Sequence, residues 1–147
     1  MKIKAFFAFA ALLAVFAFIT STFAQQSSFT PGTVWNMTYV KVEPGQFENY
    51  MDYLNTTYKK SMEFQKKEGY IVSWHVYAVA NRREGEPDII LAVEQKDHLT
   101  NTQQLAIQKK VNEFLATDPH KADSGFGERK KMRTVSGGME LQELNLG

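Results

Sequence analysis

The chain has 147 residues, no Cys, and 17 basic against 16 acidic side chains. Without Cys there is no disulfide staple, no thiol nucleophile and no thiolate metal site, so the fold has to rest on its apolar core. Near-neutrality without a basic stripe argues against nucleic acid as a partner.

The first elements in chain order are export signals. Lys2 and Lys4 precede an unbroken apolar run from Ala5 to Ile19, and Thr22-Phe23-Ala24 then offers small residues at the positions a signal peptidase reads. This three-part pattern predicts a cleaved signal peptide over 1–24. The run falls short of the roughly 20 apolar residues of a spanning helix, so no stable membrane anchor is expected. The protein is therefore expected to be exported, to the periplasm or the medium. Removing Lys2 and Lys4 takes the basic count from 17 to 15 against 16 acidic residues, a balance of −1. Residues 25–33 are polar and punctuated by Pro31 and Gly32, and read as a mobile tether. One domain is expected over 34–147.

Val34 to Val42 (VWNMTYVKV) is rich in β-branched and aromatic residues and reads as a strand. Trp35, Met37 and Tyr39 point to one face; Val34, Asn36, Thr38, Val40 and Val42 point to the other. After Pro44-Gly45, the residues Phe47, Tyr50, Met51, Leu54, Tyr58 and Met62 recur at helical spacing, up to a C-terminal signal at Lys66, Lys67 and Gly69. Tyr70 to Val79 is a second strand. Asp88 to Glu94 is a third, whose near-continuous apolar run predicts burial on both faces. Leu99 to Leu115 carries a weaker helical stripe. Thr117 to Arg133, polar and interrupted by Pro119, Gly125 and Gly127, reads as a flexible loop. Thr134 to Leu146 is a last strand, with a bulge expected at Gly137-Gly138.

The order β-α-β-β-α-β predicts an α+β, ferredoxin-like sandwich with helices on one face of an antiparallel sheet. Neither face of the first two strands is simply polar, so the uncovered face is expected to pair with a second copy, giving a homodimer. The strand VWNMTYVKV, the turn Glu43-Pro44-Gly45, the helix beginning FENYMDYLNTTYKK and the strand SWHVYAV resemble the dimeric α/β-barrel superfamily, which includes antibiotic-biosynthesis monooxygenase and NIPSNAP-type domains. The resemblance covers most of the domain and implies a two-fold dimer. Its haem-degrading members use a strand Asn, a strand Trp and a helix His. Here the first of these falls on Thr38, DIILAVEQ has no Trp, and His98 lies too early.

The residues offer no G-x-S-x-G elbow, no phosphate loop and no metal-ligand spacing among His75, His98 and His120, so neither a cofactor nor a metal is implied. Asn36 and Thr38 on an otherwise aliphatic face could form the polar floor of an apolar pocket. His75 and Tyr77 share one face of the second strand, and His suits proton transfer near neutrality. Arg129, Lys130, Lys131 and Arg133 form a basic run beside Gly125-Phe126-Gly127 that could clamp an anion. Asn36, Thr38, His75, Tyr77 and Arg133 are accordingly the expected ligand-lining residues. The function these features imply is binding of a small, partly apolar ligand without a dedicated catalytic motif. Two rivals stand beside it: a cofactor-independent monooxygenase of the antibiotic-biosynthesis type, and a structural or stress-associated envelope protein with a filled core.

Overall fold

A computed structural model describes residues 27–147; the signal peptide expected over 1–24 lies outside them. The alternation read in the first strand produces β1 (Phe29–Val42), which starts earlier than expected. Phe29, Thr30 and Pro31 pair with Leu146, Asn145 and Leu144, so the tether expected over 25–33 is, from Phe29 onward, half of a two-stranded ribbon extending past the rest of the sheet. Pro31 is tolerated there because the ribbon has a free edge.

The first helical stripe is a long helix broken in its middle: α1 (Phe47–Tyr53), a π-helical turn (Leu54–Tyr58) and α2 (Lys59–Lys67). The cause lies in the sequence. The Thr56 hydroxyl donates to the Asp52 carbonyl at 2.7 Å, taking the acceptor that the Thr56 N–H would use in an α-helix. Widening to five-residue spacing aligns Tyr53 with Tyr58 on one side of the helix.

β2 (Ser73–Ala78) and β3 (Ile89–Gln95) follow. β3 buries a residue on each face, Ile89 and Ala92, as its apolar run implied. Then α3 (Asn101–Phe114) opens on a reciprocal cap: the Gln103 N–H donates to the Thr100 hydroxyl, and the Thr100 N–H donates to the Gln103 side-chain carbonyl at 2.8 Å.

The segment read as a flexible loop is instead α4 (Pro119–Glu128) and a 3₁₀ turn (Arg129–Lys131). Asp118 caps it by accepting from the Lys121 N–H at 2.9 Å, and Pro119 stands where its missing N–H costs nothing. Gly125 and Gly127 hid the helix because each lowers helix propensity and carries no side chain to mark a face. β4 (Arg133–Leu146) closes the chain.

The strands lie in the order β2-β3-β1-β4, all antiparallel, which is the ferredoxin-like α+β arrangement. Helices cover the face that carries Val34, Val40 and Ile89. Val40, Tyr50, Leu54 and Ile89 form the buried centre, with Val76, Leu91 and Met132 packed around it. The expected bulge falls at Ser136, beside the two glycines: Tyr39 opposes Gly137 while Val40 opposes Val135. Gly138 is required there, since a Cβ would come within 2.7 Å of the Met37 carbonyl oxygen. Among the described residues no helix is long and apolar enough to cross a membrane.

Candidate functional site

On the helix-covered side, the π-helical turn and α2 stand apart from α3 and α4. Between them lies a cleft of about 810 Å³, floored in part by Gln95 at the end of β3. Its walls mix apolar side chains (Met62, Leu99, Ile107, Val111) with the polar groups of Tyr58, Gln104, Gln108 and Arg129. The π-helical turn positions the aromatic wall, because Tyr53 and Tyr58 both face the cleft only with the five-residue offset between them.

Two polar atoms here stand out. The Tyr58 hydroxyl and the Arg129 Nε are buried and have no hydrogen-bond partner among the described residues. Burial pushes the Tyr58 phenol up, with Tyr50 and Tyr53 adding to the effect, so Tyr58 remains a protonated donor across the physiological range. Arg129 lies over the Tyr53 ring at 4.9 Å and the Phe126 ring at 5.8 Å. Its neighbour Arg133 is 5% exposed and also lies over Phe126, 4.7 Å from the ring centroid. Burial raises the Tyr50 phenol, and the cations of Arg133 and Arg129 pull it part of the way back.

The five expected site residues do not converge. Asn36, Thr38 and Arg133 lie on the helix-covered face, and His75 and Tyr77 lie on the opposite one. None of the five lines the cleft directly. Asn36 reaches it at one remove, by donating from Nδ2 to the Gln95 side-chain carbonyl at 2.9 Å. His75 instead joins a ladder of rings on the open sheet face, stacked 6.0 Å from Trp35 and 5.6 Å from Tyr77. The basic run divides by face: Arg129 and Arg133 turn inward, while Lys130 and Lys131 are exposed. Tyr58 and Gln95 were missed in the sequence; the available signal was the Thr56-Thr57 pair between tyrosines five residues apart. Among the described residues no three His, Asp or Glu side chains are grouped to hold a metal.

The start of α3, one wall of the cleft, is tied to β4 by His98, whose Nδ1 lies 2.6 Å from a Glu140 carboxylate oxygen. This bond holds the His98 pKa above its usual value of about 6.5. A raised folded pKa means the tie is fully present below about pH 6.5 and is lost as pH rises through the folded value. An NMR titration is expected to place the His98 midpoint above 6.5 in the native protein and back near it in Glu140→Gln. Coincident midpoints in the two proteins would remove the tie.

No protein-family model and no curated protein matches the chain. A similar solved structure is a dimeric protein of unknown function and ferredoxin-like fold from Bacteroides fragilis. It is 18% identical, with a TM-score of 0.39 over 78% of this chain and 97% of that one.

Proposed function

We propose that the protein is an exported domain that binds a small, partly apolar ligand in the helix-side cleft. Its element order and the motifs around Pro44-Gly45 favour the dimeric α/β-barrel type to which antibiotic-biosynthesis monooxygenase and NIPSNAP domains belong. The observation that carries the binding reading is the cleft: its volume lies in the range of small-molecule sites, and its walls set apolar side chains beside polar groups that orient a ligand.

The second part of the proposal is a homodimer joined through the open sheet face. The middle of that face presents Trp35, Met37, Tyr39, His75, Tyr77 and Met139, and its charges (Lys41, Glu94 and Glu143) lie at the strand ends. Such a face offers a charged partner nothing to pair with, whereas a second copy matches it with the same rings and aliphatic groups.

Native mass spectrometry on protein recovered from its own cell envelope tests the binding reading. The expected result is a species carrying added small-molecule mass. In Ala122→Trp, whose indole occupies the cleft from α4, that mass is lost. Ligand at one hundred times its dissociation constant is expected to stabilise the wild type by about 2.7 kcal/mol. Recovered protein without added mass, showing no stabilisation by an extract of the same envelope, overturns the reading. Oxygen uptake by the loaded protein without metal or flavin would reassign it as a cofactor-independent oxygenase.

A further inference from the structure

We infer that the ligand is a monocarboxylate with a partly apolar body, its carboxylate received by Arg129 and Tyr58. The inference rests on the ligand-binding reading above and adds the chemistry of the head group.

The charge around the cleft is one-sided. Its charged lining residues are Lys60, Lys121 and Arg129, and no Asp or Glu lines it. Of the three cations, Lys60 and Lys121 are exposed and Arg129 is half-buried. Lys121 is 3.5 Å from the Asp118 carboxylate, and the Lys60 ammonium sits 5.4 Å from the centre of the Phe114 ring. Arg129 forms no ion pair among the described residues. Its guanidinium is held from the sides by Tyr53 and Phe126, which fix its position and satisfy none of its N–H groups. Gly125 lets it lie close to α4, since a Cβ there would meet Nη1 at 3.3 Å.

The unpartnered groups are both donors. Arg129 cannot lose its proton, and a Tyr58 hydroxyl that stays protonated offers its hydrogen. A buried donor without an acceptor is costly, and two of them on residues that line one cleft call for an acceptor-only group. A carboxylate is that group. It matches the guanidinium fork in shape. A phosphate would bring more acceptor oxygens than these two donors match. The rest of the wall sets Met62, Leu99, Ile107 and Val111 among the amides of Gln65, Gln104 and Gln108, which suits a carboxylate attached to a partly apolar body.

The test compares four ligands with one tail and different heads on the wild-type protein by titration calorimetry: decanoate, decanol, decyl phosphate and decyltrimethylammonium. Decanoate is expected to bind at least about tenfold more tightly than decanol, the scale of one charge-assisted hydrogen bond, and decyltrimethylammonium weakest of all. In Arg129→Met the preference for decanoate over decanol is expected to vanish while decanol binding persists. Tyr58→Phe is expected to lose part of the preference, and Lys130→Ala, in the same basic run but exposed, to keep all of it. Equal binding of decanoate and decanol, or a Lys130→Ala loss as large as that of Arg129→Met, overturns the carboxylate assignment and leaves the cleft a neutral-ligand site. Tighter binding of decyl phosphate overturns it in favour of a phosphoryl head. Failure of all four ligands to bind removes both the assignment and the binding reading beneath it.

Discussion

Replacing Tyr50 by Ala is expected to lower stability by about 3–5 kcal/mol, the range for deleting a buried aromatic side chain. For a domain of this size that corresponds to a fall in melting temperature on the order of 10–20 °C. Tyr50 is 1% exposed and sits where the long broken helix meets the sheet, packed with Val40, Leu54 and Ile89 and stacked 6.0 Å from Tyr53. Its removal opens a cavity that backbone on two sides prevents from collapsing. A second loss comes from the arginines. Arg133 is 5% exposed and lies beside the Tyr50 phenol, so the truncation also strips a buried cation of a neighbouring oxygen. Tyr50→Phe separates the two contributions: it keeps the packing, removes the oxygen, and is expected to cost roughly 1 kcal/mol. Thermal denaturation followed by circular dichroism reads both. A Tyr50→Ala loss below about 1 kcal/mol would mean that the helix is held to the sheet elsewhere.

The fold was legible because each element has its own period. VWNMTYVKV alternates, the Phe47-to-Met62 stripe repeats every three to four residues, and their order leaves few topologies open. The site was less legible, for reasons visible at single residues. Arg133 would share the open face with Met139 and Leu141 if β4 ran without interruption. The extra residue at Ser136 reverses the alternation and turns Arg133 inward, opposite Val42. Gly137-Gly138 signalled a bulge, but which residue it would insert depended on the partner strand. His75 and Tyr77 were grouped with Asn36 and Thr38 by chemistry alone; strand parity and sheet order, which decide the face, separate them. The cleft is a property of how far α3 and α4 stand from the π-helical turn. No residue of either helix encodes that distance by itself, and α4 was hidden by its two glycines.

The double substitution Tyr77→Glu with Met139→Glu is expected to convert a dimer into a monomer that keeps its fold. In a single chain both residues are about half exposed, at 49% and 48%, so two carboxylates at these positions meet water and cost the monomer little. Face-to-face pairing changes the balance. A two-fold axis through the open face brings each introduced charge towards the partner's, within a layer whose other members are Trp35, Met37 and His75. Desolvating them without counter-charges is expected to weaken association by several kcal/mol, a change of 100-fold or more in the dimer constant. Sedimentation velocity at micromolar concentration, with circular dichroism as the check on folding, reads the outcome. A wild-type monomer, or a double variant that stays dimeric, would exclude this face as the interface. The same pair of proteins also tells whether the cleft depends on assembly. The cleft is built by the π-helical turn, α2, α3 and α4 of one chain on the side away from the open sheet face, so the monomeric variant is expected to bind a cleft ligand as tightly as the wild type does.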